Sequence, residues 1–129
     1  MEKWTMWVSL LVANLIIPAA MIGFGLMFLK KPPRKVNGWI GYRTSQSMRN
    51  QDTWDFAQTC CGTVWWKWGW IMVPPAVLAQ ALTLLCSDVD TMCLWSLVPM
   101  TAEIVVLMAS ISPVERALKR NFDKDGKRL

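Results

Sequence analysis

Few residues in this chain are able to do chemistry, and one absence narrows the field at once. There is no histidine among the 129 residues, which removes histidine acid–base catalysis, histidine-containing triads and histidine metal ligands. The one acid inside a long apolar run is Glu103. A carboxylate there must face protein or water, or carry a proton, because hydrocarbon does not solvate charge. Ser96, Glu103 and Ser110 recur every seven residues, a spacing that lines them up as one polar stripe on a helix. Asn14 and, farther toward the outer end, Gln80 are partners at similar depth. Two roles fit Glu103: a proton- or ligand-responsive site, and an interhelical hydrogen bond that fixes packing.

Cys86 and Cys93 bracket a short polar segment. They are placed to bridge across a hairpin in a compartment that permits disulfides, though each is also an ordinary small apolar helix residue. Cys60 and Cys61 are adjacent and match no metal or redox spacing. The fragment "DKDG" at residues 123–126 lacks the spacing and distal glutamate of a calcium loop. No phosphate cradle or nucleophile elbow is present. Arg43, Tyr42 and Asp52 form a polar group to which no reaction attaches. The expectation is a protein that is not an enzyme and holds neither cofactor nor metal.

The elements that must position these residues are apolar. The chain is 53% hydrophobic, with nine tryptophans against one tyrosine. Tryptophan favours the membrane–water interface, where its ring and its N–H are both satisfied, so a bilayer is the expected solvent. A spanning helix needs roughly 20 apolar residues. Three runs qualify: residues 4–29, 64–86 and 92–111. The first reads as a retained anchor, since a lysine–proline cluster follows it in place of a small-residue cleavage site. Lys67 lies near the start of the second and can snorkel, beside Trp65, Trp66, Trp68 and Trp70 as an aromatic belt. Each run has proline near its middle: Pro18, the pair Pro74 and Pro75, and Pro99. Proline frees a carbonyl four residues earlier and kinks the helix.

The net charge of +5 flanks the apolar runs, so orientation in a membrane explains it more simply than direct nucleic-acid binding. The loop of residues 30–63 and the tail of residues 112–129 are rich in lysine and arginine, whereas the short loop after the second run carries aspartates and no base. By the positive-inside rule the long loop and the tail are cytoplasmic and the N-terminus is outside. The fold class expected is therefore an all-α membrane protein with three transmembrane helices in a single domain, residues 1–129. In the tail, Ser112-Pro113-Val114-Glu115 reads as a capping box with proline at the first helical position. Val114, Leu118 and Phe122 share one face and Gly126 is the expected stop. A short amphipathic helix lying on anionic lipid headgroups is the expectation there, with a solvated extension of the third span as the alternative.

The long loop divides in two. Its first part, residues 30–35, is a basic cluster broken by proline and suited to anionic headgroups. The second, residues 37–58, reads NGWIGYRTSQSMRNQDTWDFAQ. Asn37-Gly38 and Ile40-Gly41 are turn signals. Ser47 or Asn50 is a natural helix N-cap, with Asp52 and Asp55 in the first turns, where the helix dipole favours acid. Trp54, Ala57 and Cys61 then share a face of a helix able to run on into the second span, with Gly62 a weak point. Arg43 and Arg49 are placed to pair with Asp52 and Asp55, or with lipid phosphate.

The order of these residues carries a resemblance. Val36-Asn37-Gly38-Trp39-Ile40-Gly41-Tyr42-Arg43-Thr44, then Ser47-Met48-Arg49-Asn50, Thr53-Trp54 and Ala57-Gln58 closely resemble the signature of the SdpI family of small bacterial multi-pass membrane proteins. The tail, PVERALKRNFDKDGKRL, resembles family endings as well. The resemblance runs from about Lys31 onward. It implies a multi-pass protein of the bacterial inner (cytoplasmic) membrane. It also implies a role like that of the family's immunity protein, which protects a bacterium from its own secreted killing peptide and holds a transcriptional repressor at the membrane. That protein carries an additional membrane-spanning half before the matching region, where this chain has a single three-span unit.

Two functions are therefore expected. One is immunity or signalling, with a toxic peptide or envelope stress sensed outside. In that reading a cytoplasmic motif of Asn37, Gly41, Tyr42, Arg43, Thr44, Ser47, Asn50 and Trp54 docks a repressor-like protein. The other is a small proton-coupled transporter using Glu103. Three spans are few for an enclosed pathway, so that reading needs a homo-oligomer, with Ala19 and Gly23, and Ala79 and Thr83, as close-contact faces.

Overall fold

A computed structural model describes residues 3–36 and 39–129. The chain folds as α1 (Lys3–Lys30), α2 (Gln51–Leu82) continued by a 3₁₀ turn (Thr83–Leu85), α3 (Val89–Ala109) and α4 (Ile111–Asn121). Three helices are long and apolar enough to cross a membrane. Along α1, the later part of α2 and most of α3 the apolar residues run around the whole circumference, the pattern of a helix whose outer face meets lipid and not water, whereas the first turns of α2 carry Asp52 and Asp55. Pro18, Pro74, Pro75 and Pro99 all lie inside helices.

The boundaries follow local chemistry. At 28 residues, α1 is about 42 Å long at 1.5 Å per residue, more than a hydrocarbon core of about 30 Å requires. Asn50, not Ser47, caps α2: its side chain accepts from the Thr53 N–H, and the Thr53 hydroxyl accepts from the Asn50 N–H. This reciprocal pair satisfies two donors that a helix start leaves open. Asp88 caps α3 by accepting from the Thr91 N–H at 3.3 Å. α2 therefore starts 13 residues, more than three turns, ahead of the apolar run that opens at Val64.

The closest helix pair is α1 with α2, and glycine makes the approach possible. A Cβ on Gly25 would sit 2.7 Å from the Trp66 backbone nitrogen, and one on Gly62 would sit 2.9 Å from the Gly25 carbonyl oxygen. A Cβ on Gly69 would lie 3.1 Å from the Pro18 carbonyl oxygen. Small residues at such points let backbones meet in lipid, where dispersion must replace the hydrophobic effect. Gly62, expected as a weak point, is therefore a contact. Gly23 is exposed, with no neighbour among the described residues within 4 Å of where its Cβ would sit, and Thr83 is buried and bonded within its own helix turn. At the opposite end, Lys3 donates to the Leu84 and Cys86 carbonyls at 3.1 and 2.6 Å, and Trp7 donates to the Gln80 carbonyl at 2.8 Å. These bonds pin the start of α1 to the turn between α2 and α3. Cys86 and Cys93, beside that turn, are free thiols.

The tail differs from expectation in three ways. First, α4 begins at Ile111, with Ser110 alone between it and α3, and among the described residues no side chain caps it; Ser112 lies inside the helix. Secondly, α4 ends at Asn121, while Gly126 sits in a later turn with a φ of 80°. Thirdly, the apolar stripe does not lie open to lipid. Val114, Leu118 and Phe122 join Ala57 and Cys61 of α2, Phe28 of α1 and Tyr42 of the loop in one buried cluster. An amphipathic helix shows that a face must be covered, and here the protein covers it.

Candidate functional site

The polar loop is an ordered body, and Gln58 is its centre. Gln58 is fully buried. Its Oε1 accepts from the Tyr42 N–H at 2.7 Å, and its Nε2 donates to the Tyr42 carbonyl at 2.8 Å. One helix side chain therefore satisfies both backbone groups of a loop residue, as a neighbouring strand would. Gly41 makes the geometry possible. Its φ is 113°, and a Cβ there would lie 2.8 Å from Gln58 Oε1 and 3.1 Å from the Trp54 ring, so any side chain is excluded by strain and by space.

A serine–threonine turn follows. The Thr44 N–H donates to Ser47 Oγ at 2.8 Å and the Ser47 N–H donates to Thr44 Oγ1 at 3.2 Å. The Ser47 hydroxyl reaches the Tyr42 carbonyl at 3.1 Å, and the Thr53 hydroxyl reaches the Ser47 carbonyl at 3.1 Å. Trp54 donates from its indole N–H to the Pro33 carbonyl at 2.7 Å, tying α2 to the basic cluster. Tyr42 is buried and its hydroxyl lies 3.4 Å from the Ile111 carbonyl. Burial pushes the Tyr42 phenol above its ordinary range, and the Glu115 carboxylate adds to the shift.

The tail closes on this loop. Asn50 Nδ2 donates to the Gly126 carbonyl at 2.6 Å, and Arg49 donates to the Asp123 carbonyl at 3.1 Å. Gln46 donates to Glu115 at 3.2 Å. The Arg128 guanidinium lies 5.4 Å from the Phe122 ring centre and 5.8 Å from that of Phe56, within cation–π range of both. Among the described residues neither Arg43 nor Arg49 forms the ion pair with Asp52 or Asp55 that their spacing suggested. Asp55 instead accepts from Gln51 at 2.7 Å.

Of the expected motif residues, Gly41, Tyr42, Thr44, Ser47, Asn50 and Trp54 come together in this knot, and Asn37 lies outside the described residues. All six point inward or bond the backbone, while Arg43 stands exposed. The outer surface of the loop is made by other residues: Trp39, 93% exposed, with Ile40, Arg43 and Met48. Gln58, Gly126 and Arg128 were missed as functional positions. Gln58 had a signal, since it closes the polar signature, whereas nothing local marks the tail residues as its partners.

The second group lies inside the bundle. Ser96, Glu103 and Ser110 are all buried, so the stripe faces inward as expected. Ser96 bonds back to the Met92 carbonyl at 2.8 Å, and Ser110 accepts from the Trp65 indole N–H at 3.0 Å. Asn14 bonds to the Gln80 side chain, which donates in turn to Thr83 at 3.2 Å. Glu103 does not join this chain. It is 4% exposed, and among the described residues neither carboxylate oxygen has a hydrogen-bond partner.

No curated protein and no solved structure matches the chain. The model of the SdpI/YfhL protein family matches residues 34–112, more than half of the chain, from the basic cluster through the knot and both later spans to the start of α4. An ordered loop tied into a helical hairpin is the segment that the family model recognises, and the chain belongs to the SdpI/YfhL protein family.

Proposed function

We propose that this is an immunity or signalling protein of the cell membrane, with the loop and tail on the cytoplasmic face. The observation that carries this reading is the family match over residues 34–112, which includes the polar signature of residues 37–58. The knot residues hold a platform, and the docking surface is what the platform displays: Trp39, Ile40, Arg43 and Met48. In this reading a toxic peptide or envelope stress acts on the outer side, and a cytoplasmic protein binds the platform. The many basic residues of residues 30–35 and of the tail orient the chain and meet anionic headgroups.

Deletion tests the first half. Cells lacking the protein should become sensitive to a secreted killing peptide of their own kind, and unchanged sensitivity would sink the immunity role. A photoreactive residue at Arg43 tests the second. A discrete protein adduct supports docking, and adducts to lipid or to the chain itself oppose it. Tyr42 is unsuitable for this purpose because it is buried.

A second reading, a proton-coupled transporter, is favoured by one observation: the buried carboxylate of Glu103, whose oxygens have no hydrogen-bond partner among the described residues. In that case Glu103→Gln in proteoliposomes abolishes flux, and unchanged flux dismisses the idea. Neither reading makes the chain an enzyme.

A further inference from the structure

A furrow runs between α2 and α3 toward the loop end of the bundle. Two adjoining cavities of about 310 Å³ and about 160 Å³ make it, and Trp68 and Val106 line both. Along the later helices it extends from Val98 to Pro113. That stretch is about 22 Å at 1.5 Å per residue, longer than one leaflet's half of a hydrocarbon core of about 30 Å. The lining is apolar. Glu103 contributes its carbon stem, since both of its oxygens are buried. The Ser110 hydroxyl already accepts from the Trp65 indole and donates to the Leu107 carbonyl. Ile71, Val98 and Ala102 are exposed, so the furrow opens on the flank of the bundle that faces lipid.

The wall on the α3 side runs on past the furrow and changes character. Ala102, Val106, Ala109, Pro113, Arg116 and Arg120 follow one another at alternating spacings of four and three, which lines them up on one helix face. Ser110, between α3 and α4, keeps helical dihedrals, with φ at −65° and ψ at −17°, so the face carries across the junction. The first four of these residues line the furrow. The last two are exposed arginines whose guanidinium groups bond to no other described residue. Glu115, the acid beside them in sequence, accepts from Gln46 of the loop.

We propose that the furrow and these two arginines form a binding site for an anionic phospholipid of the leaflet at the loop end of the bundle. One acyl chain lies in the furrow between Trp68 and Val106, and Arg116 and Arg120 hold the headgroup phosphate. A guanidinium fits phosphate through two parallel bonds, and neither arginine has another partner to give up. A free phosphate would use the arginines and leave the furrow. A partner helix would use the furrow and leave the arginines. A zwitterionic lipid would bring an ammonium toward two cations. The site is narrower than the general attraction of a basic tail to headgroups, because it needs one pair of arginines and one furrow. It rests on the chain spanning a membrane and on neither functional reading.

The test uses the full chain in phosphatidylcholine vesicles with a trace of phosphatidylglycerol or phosphatidylcholine spin-labelled on the acyl chain. Electron spin resonance reads the motionally restricted fraction of each probe. The parent should prefer phosphatidylglycerol, and that preference should fall about fivefold for each arginine removed in Arg116→Gln with Arg120→Gln. Lys124→Gln with Lys127→Gln removes the same charge away from the stripe and should keep the preference. Ala109→Trp fills the furrow with both arginines in place and should lose it. All five residues are exposed, so circular dichroism of each variant should match the parent. A parent that restricts both probes alike would overturn the proposal. So would an equal loss in the lysine pair, which is diffuse attraction, or an unchanged preference in Ala109→Trp, which is a headgroup contact with no chain in the furrow.

Discussion

Replacing Gln58 with leucine should open the loop without disturbing the spans. Leucine keeps most of the side-chain volume and removes both bonds to Tyr42, at 2.7 and 2.8 Å. The Tyr42 carbonyl keeps the Ser47 hydroxyl at 3.1 Å, whereas its N–H loses its acceptor in a buried place. An orphaned buried donor costs about 1–3 kcal/mol, and one of two bonds lost at the carbonyl costs about 0.5–1.5 kcal/mol. Together they lower the free energy of local opening by about 1.5–4.5 kcal/mol, so amide exchange should speed up about 10- to 2,000-fold. Hydrogen exchange followed by mass spectrometry, with the protein in lipid nanodiscs, reads this on residues 41–50. Peptides from α1 are the internal control. Parental exchange rates across residues 41–50 would refute the idea that Gln58 holds the loop.

Three further outcomes follow from the same contacts. Gly25→Ala places a methyl 2.7 Å from the Trp66 backbone nitrogen, so α1 and α2 must separate, at a cost of about 1–3 kcal/mol; thermal unfolding in detergent should show a lower midpoint, with Gly23→Ala unchanged. Asn50→Ala removes the α2 cap and the tie to Gly126, at a cost of about 0.5–2 kcal/mol for the cap alone; residues 123–129 should then be cut faster by protease. Tyr42 is the sole tyrosine of the chain, and its phenol is raised by burial and then by Glu115. The raised group contributes stability that is present below the free phenol value of about 10 and lost as pH climbs through the higher folded value. The ultraviolet tyrosinate band should therefore appear later than in free tyrosine and together with loosening of the loop. A titration at the free-phenol value in the folded protein would contradict this.

The apolar runs made the three spans legible, and Asn50 with Trp54, Ala57 and Cys61 made the helical extension of the second span legible. What remained hidden shares one cause. A run that is apolar all round carries no sign of which face meets protein and which meets lipid, so Gly25, Gly62 and Gly69 gave no hint that they form the helix contact. The stripe of Val114, Leu118 and Phe122 showed that something must cover it, and lipid and protein satisfy that demand equally well. The signature residues posed the same ambiguity in polar form. Thr44, Ser47 and Gln58 have donors and acceptors to satisfy, and their order along the chain does not say whether a partner or their own backbone does so. The long-range ties of Asn50 to Gly126 and of Arg49 to Asp123 span 76 and 74 residues, and no local pattern marks such a pairing.

Those two ties have a consequence for assembly in the bilayer. Between Asn50 and Gly126 lie both α2 and α3, a hairpin that must cross the membrane and return before the two residues can meet. A chain whose third span failed to insert would leave its tail on the far side, with Asn50 Nδ2 and the Arg49 guanidinium deprived of their carbonyls. The loop would then stay loose and open to proteases. Completion of the knot thus requires that both spans have inserted, so order in the loop and the course of the later helices are coupled.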